Sequence, residues 1–291
     1  MAPNTHMPND RSRPWRLSRA AADSVADLGA MVIEWVAGLG NLSLFGLRTL
    51  GWLLARRPRW EALVPAMYQI GVKSLGVVAL TGTFIGMVLA VQAYSQFHNI
   101  LHAESGLGAM INLSLVRELG PVLAATMLAG RVGSAMAAEL GTMRVTEQID
   151  ALTSMGADPI HYLVVPRFLG CLLLIPALTI LADFVGILGG AFYGICLLGI
   201  DRHHYLVHAQ DYVRGFDVFA GVFKSLFFGA AIALISCYRG FHCDAGAEGV
   251  GRAATTAFVS SFVTILLLDL FLTIGLDKVY LLFWPQGPKL I

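Results

Sequence analysis

The chain has 291 residues, of which 56% are hydrophobic and only 13% are charged. Soluble domains carry about 25% charged residues, so the composition excludes an ordinary soluble protein and predicts an integral membrane protein. A net charge of +1 does not support a nucleic-acid binder, and the placement of Lys and Arg relative to the apolar segments is more informative.

The N-terminal region divides into two predicted segments. Residues 1–23 are polar and basic, without an apolar run that could be a signal-peptide core, and we expect a disordered cytoplasmic tail. Residues 24–60 are apolar, but four polar residues interrupt them: Asp27, Glu34, Asn41 and Arg48. A spanning helix needs about 20 predominantly apolar residues, so this region is predicted to be an amphipathic helix in the membrane interface. A sixth span is the alternative.

Residues 61–277 are predicted to contain about five transmembrane helices. These helices are expected at about 72–96, 107–136, 167–200, 218–238 and 255–276. The third is longer than an upright helix requires; one long helix is favoured, and a hairpin turning near Gly189 is the alternative. The clusters of Arg in the N-terminal region and in the inner loops place the N-terminus in the cytoplasm. Residues 278–291 then form a tail on the outer side.

Charged residues inside the predicted spans are candidates for function, because charge in hydrocarbon is costly unless it faces a partner or a cavity. Counting at about 1.5 Å per residue places Arg117, Glu118, Lys224 and Asp269 in one layer, the outer third of the membrane, with Asp183 slightly deeper. A structural ion-pair network that includes Lys224 and Asp269 is one interpretation. In the other interpretation, part of the network lines an outward-facing cavity that receives a polar headgroup, and Glu118 lies nearer this cavity than Lys224 and Asp269 do.

Other chemistry has little support in the sequence. The histidines and cysteines lack the spacing of a metal site, so no metal is expected. No P-loop motif and no catalytic constellation is present, so the chain is expected to be neither an enzyme nor a cofactor-binding subunit.

A polar segment follows the second span. The run EQIDALTSMGADP predicts a short cytoplasmic helix, because helix-forming residues precede Gly156 and Pro159. The order of its acidic and apolar residues resembles that in the loop by which permeases of ABC importers bind their ATPases.

Five segments extend this resemblance to most of residues 60–275. They are TGTFIGMVLAVQAY (81–94), SLVRELGPVLAATMLAGRVGSAMAAELGTMRVTEQIDAL (114–152), DPIHYLVVPRF (158–168), FKSLFFGAAIALIS (223–236) and GVGRAATTAFVSS (249–261). Together they resemble the MlaE/YrbE permease family, and the long block from RELGP to TEQ is the most specific.

The resemblance implies a homodimeric permease subunit of an ABC-type lipid transport system in a bacterial inner membrane. The implied partners are a cytoplasmic ATPase dimer that binds ATP and Mg, a periplasmic ring, expected to be hexameric, of MCE-domain protein and, in some systems, a STAS-domain subunit. Such systems move phospholipids between the inner membrane and the ring, which contributes to outer-membrane lipid homeostasis. The C-terminal tail would then be periplasmic.

The resemblance also assigns expected roles to residues. Residues 141–158 would form the coupling helix on the ATPase, with five contact candidates: Arg144, Glu147, Gln148, Asp150 and Met155. The membrane charges fall where the family also has charges. Depth and chemistry suggest five residues for a lipid cavity: Leu89, Gln92, Tyr94, Phe97 and Glu118.

Two other functions remain open from the residues alone. In an ion-coupled secondary carrier, Glu118, Asp183 and Asp269 would be the relay. In a passive anchor, the chain would only organise the periplasmic ring.

Overall fold

The computed structural model describes residues 13–56, 60–100, 107–199 and 214–283. These residues form an all-α membrane protein, as predicted. The chain divides into two compact units, residues 1–47 and 48–291. The first helix, α1, spans Arg13–Ala55, so residues 13–23 of the predicted tail are helical. Residues 1–12 lie outside the described residues.

Six helical segments in the described part of the chain are long and apolar enough to cross a membrane. They are Gly29–Ala55, Trp60–Ser95, Met110–Val145, Ile160–Leu197, Gly215–Phe241 and Gly246–Tyr280. The last five confirm the five predicted spans. The first lies in the region predicted to be an interfacial helix. It meets the length and composition of a span, which do not by themselves distinguish the two locations, so its interfacial position stays a prediction.

The spans are built from shorter helices joined without loops. After α1 come α2 (Trp60–Ile70), α3 (Leu75–Ile100), α4 (Leu107–Ser114), α5 (Gly120–Leu128), α6 (Ser134–Val145), α7 (Gln148–Ser154), α8 (Val165–Phe192), α9 (Gly215–Phe241) and α10 (Gly246–Phe283). A 3-10 turn joins α2 to α3. Within the described ranges, π-helical turns lie at Leu115–Leu119, Ala129–Gly133, Ile160–Val164 and Tyr193–Leu197. Helices α4, α5 and α6 are therefore one continuous span.

The third span is one long helix, which confirms the favoured prediction over a hairpin. It runs from Ile160 to Leu197, and Pro176 lies inside α8 without ending it. Helix α8 packs along α3 and α9, and α9 in turn contacts α6 and α10. The buried apolar core lies among these helices.

Glycine determines the contact between α3 and α8. A Cβ atom added at Gly86 would lie 1.9 Å from the backbone oxygen of Gly186, and one at Gly82 would lie 2.8 Å from that of Ala182. No larger residue fits at Gly86 without moving backbone. The Gly82 and Gly86 spacing, which predicts one small face on α3, therefore corresponds to an observed close approach.

Two predicted boundaries are wrong in detail. Helix α10 extends from Gly246 to Phe283, beyond the predicted span at 255–276, because its glycine-rich start is helical and its last turns continue past residue 277. The predicted single coupling helix at 141–158 is two helices, since α6 ends at Val145 and Glu147 adopts a left-handed conformation with φ 59°. Residues 201–213 of the predicted outer segment lie outside the described ranges.

Candidate functional site: a buried charge cluster and an exposed coupling segment

Lys224 is the centre of a charge cluster formed by three spans. Its side chain, on α9, is only 1% exposed. Its Nζ lies 2.7 Å from Glu118 Oε2, on the π turn between α4 and α5, and 3.2 Å from Asp269 Oδ1 on α10, at ion-pair distance but without hydrogen-bond geometry. The charges that the sequence places in one layer are therefore in direct contact.

Neutral groups complete the environment of the ammonium. Lys224 Nζ donates a 2.7 Å hydrogen bond to Thr273 Oγ1 and lies 3.3 Å from the backbone oxygen of Arg117. That oxygen is four residues before Pro121, which has no N–H to donate to it. The three N–H groups of the ammonium thus have enough acceptors for a buried charge.

Arg117 extends the cluster to a third carboxylate. Its guanidinium pairs with Asp277 on α10 and lies 3.7 Å from Glu118 Oε1. Two cations therefore face three carboxylates, Glu118, Asp269 and Asp277, which leaves one negative charge in excess if all are ionised. The Glu118 side chain is 35% exposed, compared with 21% for Asp269 and 13% for Asp277. Glu118 is thus the most exposed of the three carboxylates.

A close helix approach positions Lys224. A Cβ atom added at Gly221 would lie 2.3 Å from the backbone oxygen of Val116 and 3.1 Å from Pro121 Cγ. Positions three apart share a helix face, so the same face of α9 that contacts the α4–α5 junction carries Lys224. The missing side chain at Gly221 brings the ammonium within reach of Glu118.

Asp183 forms no ion pair with Lys224 among the described residues, although the sequence groups it with the membrane charges. It is buried on α8, and its Oδ1 has no hydrogen-bond partner among the described residues. A Cβ atom at Gly120 would lie 1.7 Å from that oxygen. The Asp183 carboxyl group therefore packs against the backbone at the start of α5.

The other lipid-cavity candidates lie on α3. Leu89 and Tyr94 pack with a small cluster around Ala90 and Ile111, which is separate from the apolar core. Gln92 is exposed, and the side chain of Phe97 lies outside the described side chains. The structure therefore places Leu89 and Tyr94 in a different cluster from Glu118.

The predicted coupling residues lie on and beside α7. All five are exposed, and the Met155 side chain is 73% exposed. Arg144 Nη1 pairs with Asp150 Oδ1 at 2.5 Å, which bridges α6 and α7. Buried Ile149 anchors the helix, and Gly156 follows it with φ 77°. This arrangement leaves Glu147, Gln148 and Met155 available to a partner.

A family model described as Permease MlaE matches residues 63–274. This range is well over half of the chain and includes Glu118, Lys224, Asp269 and all of α7. The chain belongs to the MlaE permease family.

Relatives agree with this assignment over most of their length. A probable ABC transporter permease protein of Rickettsia felis is 41% identical over 84% of this chain and 95% of its own length. The intermembrane phospholipid transport system permease protein MlaE of Haemophilus influenzae is 37% identical over 86% of this chain and 95% of its own. A probable ABC transporter permease protein of Synechocystis is 46% identical over 71% of this chain and 78% of its own length.

Sequence reasoning missed Thr273 and Asp277. Asp277 also lies just beyond the range that matches the MlaE family. One signal was present: Asp269, Thr273 and Asp277 recur every four residues and therefore share one face of α10. A polar stripe on an otherwise apolar helix is expected to face other polar groups.

Proposed function

We propose that the chain is the permease subunit of an ATP-driven phospholipid transporter in the bacterial inner membrane. Family membership and the name of the Haemophilus relative support this proposal. The observation that carries it is the joining of two features by one continuous span, the charge cluster at Glu118 and the exposed helix α7. A coupled permease needs a continuous element that links its site in the membrane to the surface that binds the ATPase. The span that carries Glu118 and leads to α7 is such an element.

The proposed partners follow from the family. Two copies of the chain would form the membrane unit, a cytoplasmic ATPase dimer would bind ATP and Mg, and a periplasmic MCE-domain ring would receive or supply lipid, with a STAS-domain subunit as an accessory. The N-terminus would lie in the cytoplasm and the C-terminus in the periplasm. The chain's own contribution is the lipid cavity and the surface of α7.

The span from Met110 to Val145 would transmit the force. Its 36 residues correspond to roughly 54 Å of helix at 1.5 Å per residue. A displacement passed from α7 to the end of α6 would reach Glu118 along this one continuous span. Closure of the ATPase dimer would bring two copies of α7 together and narrow the cavity between protomers. A phospholipid beside Glu118 would then be moved toward or away from the ring.

The test is Glu118→Gln in the assembled complex. This variant keeps the side-chain volume and removes the exposed negative charge, so we expect lipid transfer between labelled liposomes to fall at least about tenfold, the loss that corresponds to one charge-assisted contact. Glu61→Gln, at an exposed position on α2, is the matched control and should transfer lipid normally. Normal transfer by Glu118→Gln, with the complex intact, would remove Glu118 from the transport path.

The partnerless oxygen of Asp183 favours one rival, an ion-coupled carrier with a proton relay in the spans. The two functions differ in energy source. In proteoliposomes, transfer that stops without ATP and continues when an uncoupler collapses the proton gradient supports the permease. The opposite pattern supports the carrier.

A further inference from the structure

A second polar cavity lies on the same span as Glu118, toward its α7 end. Arg131, on the π turn between α5 and α6, follows Glu118 by 13 residues, or roughly 20 Å along the helix. The cavity measures about 220 Å³. Its polar lining is Gln69, Lys73 and Arg131, and Ile70, Val132, Ala135 and Met136 complete the wall.

The lining carries positive charge without a counter-charge. Lys73 and Arg131 are its two ionisable residues. The carboxylate of Glu139 lines a neighbouring cavity and pairs with Arg167 at 3.0 Å. Within the described part of the chain, Arg131 Nη1 is buried and has no hydrogen-bond acceptor. Because a buried donor is costly when it is unsatisfied, this nitrogen favours an anionic or polar ligand in the cavity.

The chemistry of the lining suits a phosphate group. A guanidinium and an ammonium together form strong charge-assisted hydrogen bonds with phosphate oxygens, and the Gln69 amide is a further donor. The cavity is smaller than the roughly 300–1,000 Å³ of pockets that enclose a drug-sized ligand. It therefore has room for a headgroup but not for a whole lipid.

The position of the cavity favours a lipid as the source of the phosphate. Every lining residue lies within the apolar segments Trp60–Ser95 or Met110–Val145. A soluble phosphate ion would have to enter an apolar region, whereas a phospholipid presents its phosphate at the edge of the hydrocarbon with its chains already in it. Both charged residues also lie at helix irregularities, Arg131 on a π turn and Lys73 on the 3-10 turn between α2 and α3, and such irregularities are frequent at functional sites.

We propose that this cavity binds the phosphate of a phospholipid headgroup, at a site separate from Glu118. The site would hold a lipid on the α7 side of the span while the Glu118 cluster serves the other side. The proposal concerns lipid binding alone and does not depend on ATP-driven transport. A binding measurement can therefore refute it without refuting the proposed transport function.

The experiment measures lipid binding to the full-length protein by native mass spectrometry from detergent. Phosphatidylglycerol is the probe. Diacylglycerol is the control lipid, which has the same glycerol backbone and acyl chains but no phosphate headgroup, and inorganic phosphate is the soluble competitor. We expect phosphatidylglycerol to bind the wild type, and Lys73→Gln and Arg131→Gln each to weaken binding about tenfold. Lys73 is exposed, so Lys73→Gln keeps the test valid even if Arg131→Gln misfolds.

Lys278→Gln is the matched control, because it removes one exposed lysine charge on α10, outside the cavity lining. Unchanged affinity in this control, together with weak binding of diacylglycerol, supports the proposal. Equal binding of the two lipids, or equal losses in Lys73→Gln and Lys278→Gln, overturns it. If inorganic phosphate displaces phosphatidylglycerol at low millimolar concentration, the site takes a soluble phosphate, and the lipid assignment is wrong.

Discussion

Lys224 is the residue on which the packing of three spans depends. Its ammonium is almost fully buried and interacts with Glu118, Asp269 and Thr273. Moving an ion out of water costs several kcal/mol, which its partners offset only while the set is complete. The cluster therefore fixes the relative positions of α9, α10 and the α4–α5 junction more than it adds net stability.

Lys224→Met is expected to destabilise the fold strongly. It leaves Asp269 without its cation and Glu118 with only the 3.7 Å contact to Arg117, and breaking a buried pair from one side costs about 3–5 kcal/mol. The measurement is the free energy of unfolding in mixed micelles. Adding Asp269→Asn should recover part of the loss, because it removes a carboxylate that has lost its partner.

Lys278→Met removes an exposed lysine on α10 and provides the comparison for that experiment. It should change the free energy of unfolding by less than about 0.5 kcal/mol, the usual range for surface substitutions. If Lys224→Met unfolds at the same denaturant concentration as this control, the buried cluster does not hold the helices together.

The residues of the cluster were only partly predictable. Lys224, Asp269 and Glu118 are charges in apolar runs, and counting along each span is enough to put them at one depth. Thr273 carries no charge, and Asp277 lies just beyond the predicted end of the last span at residue 276. Neither residue was therefore predicted to belong to the cluster. The hydrogen bond to the Arg117 carbonyl depends on the local backbone near Pro121, which residue counting does not specify.

At the scale of helices, the spans were predictable from hydropathy, and their irregularities were not. The four π turns lie inside apolar or mixed runs such as LVREL and AGRVG, which have no composition that distinguishes them from α-helix. A π turn adds one residue to a turn and so changes which side chains face the core. The break at Glu147 was missed for a related reason, since a left-handed Glu is uncommon and Gly156 was the expected helix end.

Gly86→Ala should separate α3 from α8. The new methyl group would meet a backbone oxygen at 1.9 Å, which cannot rotate away, so we expect a loss of about 1–3 kcal/mol in the free energy of unfolding. Gly76→Ala is the control on the same helix, where no atom lies within 4 Å of the added Cβ. It should be neutral or stabilising by up to about 1 kcal/mol, because alanine favours helix. Equal effects in the two variants would show that the close contact is absent.

Charge reversal on α7 should weaken capture of the ATPase without unfolding the permease. Asp150→Lys breaks only an exposed pair with Arg144, and such pairs contribute about 0–1 kcal/mol. If α7 is the docking helix, ATPase affinity on immobilised complex should fall about tenfold or more, as expected for a reversed charge in an interface.

Asp244→Lys is the matched control for that reversal. Asp244 is also exposed and paired, with Arg252, and it lies in the turn between α9 and α10, where neighbouring Cys243 contacts the backbone of α6. Asp244 and Asp150 therefore both lie near the C-terminal end of α6, but only Asp150 is on α7. Equal losses of affinity would mean that the ATPase responds to overall charge and not to α7.

The number of spans between two segments determines whether they share a side of the membrane. Five candidate spans begin at or after Trp60. Crossing by each of them would place α7 and the turn between α9 and α10 on the side from which α2 begins, and the end of α10 on the other side. The segment Gly29–Ala55 determines the side of the N-terminus, because crossing the membrane and lying in the interface place the N-terminus on opposite sides.

The interfacial prediction therefore has a direct consequence: an N-terminal epitope tag and a cysteine at Ser154 on α7 should be accessible from the same side. The physical reason is the polar set within residues 24–60, with Asp27, Glu34 and Arg48, which an interfacial helix can keep at the water boundary and a single upright span would bury in hydrocarbon. In sealed inside-out vesicles, both reporters should react with membrane-impermeant reagents, and a cysteine at exposed Val279 near the end of α10 should not. For a clear signal, the native cysteines are first replaced by serine or alanine. If Ser154→Cys reacts while both the tag and Val279→Cys do not, then Gly29–Ala55 crosses the membrane and the chain has six spans.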